Sequence, residues 1–228
     1  MEKKEMIKDD NTGSIMLLPE VSEMPPQANY QIPDPDLLTY FQFAGNRIFF
    51  IDYEIDETLM SVIKEIIKIN INDNGIPVDK RMPIVIPIMS YGGDLDVTYT
   101  FIDVCAMSKT PIITVNMGAA MSAGVLLLLA GHKRYALKHA QAMIHSGSGG
   151  MEGTFEQIEA KQTFYKNYVA LMREYILERT EIDVKTFGRK KAKDWYLNAD
   201  EQVKLGIVDG IIDSLDEVFS CGVQTFST

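Results

Sequence analysis

The sequence predicts an α/β domain built on a largely parallel sheet. Two observations carry that reading: apolar runs of strand length alternate with segments of helical periodicity, and two of the runs end in glycine-rich turns. A third is length, since 228 residues suffice for one substantial core.

Residues 1 to about 35 are polar and then proline-rich (Pro25, Pro26, Pro33, Pro35), which predicts a mobile N-terminal arm ahead of a single domain over 36–228. Arg47 to Ile51 reads as a first buried strand. Asp56 is placed to cap a helix with Leu59, Val62, Ile63 and Ile66 on one face. Asn72-Asp73-Asn74-Gly75 is a turn in an exposed loop. Ile84 to Met89 forms the second strand and ends in Ser90-Tyr91-Gly92-Gly93. Pro87 lies inside it without an N–H, so either the strand bulges there or the missing donor faces no partner. Val97, Phe101, Val104 and Cys105 repeat at helical spacing. A strand from Ile112 to Met117, a buried helix through Val125–Leu129 and a short strand pair reaching His145 follow.

Thr154-Phe155-Glu156-Gln157 has the capping-box pattern and opens a helix to about Leu177. Phe155, Ile158, Tyr165, Val169, Met172 and Ile176 form its apolar stripe. Asn198 with Glu201 starts another helix, and Gly206 stops it.

Composition narrows the function. A net charge of −10 argues against nucleic-acid or anionic-membrane surfaces, which need clustered Lys and Arg. Cys105 and Cys221 are too far apart in sequence to suggest a disulfide framework or a metal site. No apolar signal region follows Met1, and the longest apolar run, Ala123 to Ala130, is far short of a membrane span. A reducing, cytoplasmic setting is the expectation, with no metal and no cofactor.

Three segments hold residue types suited to serine chemistry. Gly118-Ala119-Ala120-Met121-Ser122-Ala123-Gly124 puts Ser122 after a strand and near a helix start, where free N–H groups favour developing negative charge. A serine so placed is often only a cap. Of three histidines, His132 and His139 sit in polar, solvated stretches, whereas His145 ends an apolar strand and opens onto glycines. A strand-end histidine is also commonly structural, so both readings stand on these residues alone. Many acidic residues follow His145, and spacing selects none of them.

Together these segments resemble the proteolytic subunits of the Clp protease family. The resemblance rests on Gly118-x-Ala120-x-Ser122, Met143-Ile144-His145 and Asp194-Trp195-Tyr196-Leu197. It extends to Ser90-Tyr91-Gly92-Gly93 and to Leu197 through Asp209, and covers about Arg47 to Asp213. The resemblance implies a crotonase-like fold of repeated β-β-α units with a protruding handle helix (about 147–180), and a serine endopeptidase acting on unfolded polypeptides. Ser122 would be the nucleophile, His145 the base and Asp194 its orienting acid. The N–H groups of Gly93 and Ala123 would form the oxyanion hole, with Gly92 making the turn. Gly147, Gly149 and Gly150 would offer an edge to which substrate adds as a strand.

The family's assembly is a homo-oligomer, most simply a tetradecamer of two stacked heptamers joined through the handle, working with a separate Clp-type ATPase unfoldase. No phosphate-binding loop with its lysine occurs in this chain. Tyr91 replaces the family's proline, Ser146-Gly147 replaces Gln-Pro, and Ala123 replaces methionine, so a divergent or viral-type member is one expectation. Two other readings remain: a crotonase-like acyl-CoA enzyme, and a non-catalytic ring or assembly partner.

Overall fold

The structure, a computed structural model, describes residues 34–147, 150–190 and 193–219. The expected arm, but for its last two residues, lies outside them, as do Cys221 and Gly149. The first described element, helix α1 (Pro35–Gly45), was not foreseen from the sequence, although Leu37, Leu38, Phe41 and Ala44 recur at helical spacing; none of its residues is buried.

The Arg47–Ile51 segment is not a regular strand. It makes isolated parallel bridges, Ile48 to Val85 and Ile51 to Ile88, alongside strand β1 (Ile84–Ser90). Pro87 explains the interruption. Val85 and Met89 donate to the carbonyls of Arg47 and Ile51, both at 2.9 Å, and Ile51 donates to the Pro87 carbonyl at 2.9 Å. The donor that should stand between Val85 and Met89 is the one proline lacks.

Next in order, Asp56 accepts from the N–H of Thr58 and caps a 3-10 turn leading into α2 (Met60–Asn72), which buries Val62, Ile63, Ile66 and Ile69. After β1, Asp94 caps α3 (Leu95–Met107) through the N–H groups of Asp96 and Val97. Strand β2 then runs from Ile112 to Met121, four residues beyond the sequence expectation.

Strand β2 organises the sheet. Strand β1 pairs along one edge in parallel, while β3 (Lys133–Ala136) and β4 (Gln141–Ile144) share the other. They are therefore not a pair with each other: β3 takes Ile113–Asn116 and β4 takes Ala119–Met121. The handover coincides with an irregularity, since Ile88 faces Asn116 but Ser90 faces Ala120. The bulge thus lies on β2, not at Pro87, and the extra residues let one strand change neighbours.

Asn116 holds the fork open. Its amide donates to the Gln141 carbonyl and to Gln202 Oε1, both at 3.0 Å, and its oxygen accepts from the N–H of Gly118. Gln202 in turn donates to the carbonyls of Ala140 and Leu197. Both side chains are fully buried, so each removes orphan backbone groups from the core.

Helix α4 (Ala123–Leu129) is buried along its whole length. Helix α5 (Phe155–Arg179) starts at the Thr154–Gln157 capping box and buries only Met172 and Ile176. Val169 packs partly buried against the core, whereas the start of the stripe does not: Phe155 is 77% exposed and Ile158 38%. Helix α6 (Val184–Lys190), strand β5 (Trp195–Leu197, antiparallel to β4), α7 (Ala199–Lys204), β6 (Gly210–Ile211, on β3) and α8 (Asp216–Phe219) complete the described chain. Asn198 and Glu201 make the expected second capping box.

Two polar side chains depart from the sequence reading. His132 is exposed yet not merely solvated, because its Nδ1 accepts from the N–H of Ile112 at 2.9 Å. Desolvation and the Arg179 charge lower its pKa, which suits that acceptor role. Asp73, expected in an exposed turn, is buried. It takes two bonds from the Arg47 guanidinium (2.8 and 2.7 Å) and one from Thr110 Oγ1 (2.8 Å).

These donors, Arg47 first, hold the Asp73 carboxyl below the usual carboxylate range. Its contribution is present above the unfolded pKa and lost as pH falls through the folded one. Asp73→Ala should cost about 3–5 kcal/mol at neutral pH, and thermal melts should show the gap from wild type narrowing below about pH 4. An equal gap at all pH values would contradict this.

Candidate active site

The site forms where β2 stops. Ser122 immediately follows the strand, and its N–H donates to the Met143 carbonyl at 2.9 Å, which ties it to β4. Its backbone has φ 55° and ψ −121°, a conformation that side-chain-bearing residues rarely adopt. Such a sharp strand-to-helix turn lifts the hydroxyl clear of both elements and persists only where its surroundings hold it.

His145 stands at the end of β4. Ser122 Oγ and His145 Nε2 are 2.7 Å apart, a good hydrogen bond. Asp194 directly precedes β5, whose antiparallel pairing of Trp195 with Ile144 carries it to the far side of the imidazole. His145 Nδ1 and Asp194 Oδ1 lie 3.8 Å apart, ion-pair range but too long for a hydrogen bond, and the Asp194 side chain is 55% exposed. Three residues from separate motifs thus meet at one end of the sheet.

Beside Ser122 lies the Gly92–Gly93 turn. A side chain at Gly92 would come within 2.8 Å of Ser122 Cβ, and one at Gly93 within 2.1 Å of the Ile55 carbonyl oxygen. Both glycines have positive φ, 105° and 147°. The turn is pinned at each end, by Ile55 N–H to the Gly92 carbonyl (2.8 Å) and Asp94 N–H to the Ile55 carbonyl (2.7 Å). Between those bonds the Gly93 N–H has no acceptor among the described residues, and Ala123, first in α4, has none within its own helix.

Two supporting residues escaped the sequence reading. Ser90 is buried, donates to the Tyr53 carbonyl at 2.7 Å and accepts from the Gly92 N–H at 3.2 Å, so it fixes the approach to the turn. Gly124 lets α4 press against β1, since a Cβ there would meet the Ser90 carbonyl at 3.0 Å. Ser90 opens the Ser-Tyr-Gly-Gly motif, so a signal for it existed.

Gly147 and Gly150 are described but form no ladder. Gly147 has φ 86°, and a Cβ on it would strike the Tyr165 hydroxyl at 2.5 Å, whereas Gly150 has open space around it. Together with Met89, Tyr91, Met143, Met172 and the Ser122–His145 pair, Gly147 and Tyr165 line a cleft of about 670 Å³. Asp52 and Glu54 line it too, with no Lys or Arg among the described lining residues, so these side chains give it a negative field.

Cys105 is not placed as a second nucleophile. Burial pushes the Cys105 thiol up to about 12, far from a reactive thiolate. Among the described residues no three His, Cys, Asp or Glu side chains converge to hold a metal. No helix of the described residues is long and apolar enough to cross a membrane.

The sequence matches a known family over most of the chain. The family model described as Clp protease matches residues 37–215, a span that includes Gly92, Gly93, Ser122, His145 and Asp194. The chain belongs to the Clp protease family. Among its relatives, an "ATP-dependent Clp protease proteolytic subunit 2" of Treponema pallidum (strain Nichols) is 31% identical over 58% of this chain and 67% of that protein. Two proteins named "ATP-dependent Clp protease proteolytic subunit 1" are similar over longer stretches. The Bacillus cereus protein (strain ATCC 10987) is 29% identical over 76% of this chain and 89% of its own, and the Frankia casuarinae protein 28% over 84% and 94%. Against that family background, the mixed α/β sheet and the Ser122–His145 contact occur in one Clp protease family chain.

Proposed function

We propose that this protein is the proteolytic subunit of an ATP-dependent Clp protease, a serine endopeptidase of crotonase-like fold that cleaves unfolded polypeptides. The observation that carries the reading is the 2.7 Å contact between Ser122 Oγ and His145 Nε2, formed by a serine in a strained turn. A hydroxyl becomes a useful nucleophile at neutral pH only when a base is positioned to take its proton.

Ser122 Oγ attacks the peptide carbonyl carbon as His145 Nε2 accepts the hydroxyl proton. The carbonyl oxygen becomes an oxyanion facing the N–H groups of Gly93 and Ala123. His145 then gives its proton to the departing amine, and water repeats the sequence in reverse on the acyl-serine. Asp194, 3.8 Å from Nδ1, favours the tautomer of His145 that carries its proton on Nδ1 and steadies the imidazolium. Substrate lies beside Gly147 and Gly150 and is read mainly through its backbone.

The assembly is a homo-oligomer, most simply two stacked heptamers, in which α5 is the protruding handle and its exposed Phe155 and Ile158 supply apolar contact. Sequestering a broadly specific site in a chamber protects a cytoplasm, and a separate Clp-type ATPase unfolds and delivers substrate. Ile158→Glu should dissociate double rings toward single rings or monomers in sedimentation, with peptidase activity falling at least tenfold. An unchanged particle would contradict this use of α5.

The acyl-CoA alternative is disfavoured because its chemistry calls for a carboxylate at the reacting carbon, whereas the cleft centres on a serine and an imidazole. The test is cleavage of an unstructured polypeptide. The wild type should cleave it and turn over no acyl-CoA thioester; the opposite pattern would overturn the reading.

A further inference from the structure

Among the described residues, two buried side-chain polar atoms lack a hydrogen-bond partner, the hydroxyls of Tyr53 and Tyr165. Both residues line the cleft that holds Ser122. Tyr53 borders a second cavity as well and has Ser61 beside it, so its environment is shared. Tyr165 lines the Ser122 cleft from helix α5. Buried polar groups without partners are rare, and each calls for an explanation.

Packing does not explain this one. A phenylalanine would fill the same volume without an orphaned hydroxyl, so the oxygen serves something absent from the free chain. Nor is it loosely held. One turn along α5, the Tyr168 hydroxyl donates to Asp96, and the Tyr99 hydroxyl donates to the Tyr168 carbonyl at 3.0 Å. These bonds fix α5 against the start of α3 and hold Tyr165 in place. Gly147 lies directly against the hydroxyl, since any Cβ there would sit 2.5 Å from it, so only main chain covers the oxygen on that side.

We infer that Tyr165 is a specificity-determining residue whose hydroxyl, in the pocket beside Ser122, selects glutamine over methionine at the residue whose carbonyl is attacked. The inference rests on the peptidase reading above. Met143 and Met172 in the walls suit an apolar stem, and the phenol oxygen suits an amide at its end. Charge argues for a neutral end. Asp52 and Glu54 repel a carboxylate, and both are exposed, so neither offers the buried countercharge an ammonium would need.

Glutamine and methionine are close in length and volume, so a matched pair of peptidyl-aminocoumarins differing only there isolates the hydrogen bond. Assembled wild type should have the higher kcat/KM for the glutamine substrate. Tyr165→Phe should lower the glutamine-to-methionine ratio by about tenfold. A ratio unchanged by the substitution, or both substrates slowed equally, would overturn the inference while leaving the peptidase reading intact. Cleavage of neither substrate by wild type would overturn both.

Discussion

Ser122→Ala and His145→Ala should each lower peptide hydrolysis by about 10³-fold or more, with the oligomer and its melting temperature little changed. Hydroxyl and imidazole act as a unit, so the double variant should be scarcely worse than either single one. Asp194→Asn should be milder, because the carboxylate stands at 3.8 Å and is open to solvent, a weaker hold on the imidazole than a buried hydrogen bond. Initial rates on a fluorogenic peptide across the three variants check this order. Full activity in Asp194→Asn would mean that another carboxylate orients His145.

Gly93→Ala should damage both rate and stability. Its φ of 147° disfavours a side chain, and the new Cβ would lie 2.1 Å from a backbone oxygen of Ile55 that cannot rotate away. Relief requires the turn to move, which swings the Gly93 N–H from its place beside Ser122. A lost oxyanion donor costs about 10²–10³-fold in kcat, and the overpacking adds about 1–3 kcal/mol of destabilisation. Gly188→Ala is the control. Gly188 lies in α6 with nothing near its missing Cβ, so alanine should stabilise that helix by about 0.5–1 kcal/mol. A wild-type rate in Gly93→Ala would remove this turn from the chemistry.

What was legible in the sequence follows from how local each signal is. The Thr154 and Asn198 caps span four residues each, and both helices start where those patterns place them. Ser122 and His145 were candidates because strand, turn and glycines surround them in sequence. Asp194 was not separable from other acidic residues on spacing; its position depends on how β5 pairs with β4, a long-range event. The same holds for the Asn116–Gln202 bond, which joins residues 86 apart, and for Asp73, whose polar turn reads as exposed until Arg47 is brought to it. Pro87 posed a sound question with two answers at once. The strand pair is irregular, but at β2, and the missing donor interrupts the outer ladder of bonds to the Arg47–Ile51 segment.

The proposal as a whole turns on whether Ser122 is a nucleophile activated by His145. Intact-mass and peptide-mapping analysis after exposure to a fluorophosphonate measures that directly, with no assumption about substrate, ring size or ATPase. One phosphonyl adduct per chain on Ser122, lost in Ser122→Ala and strongly slowed in His145→Ala, is the expected result. An unlabelled wild type, or an adduct on any other residue, would contradict the account.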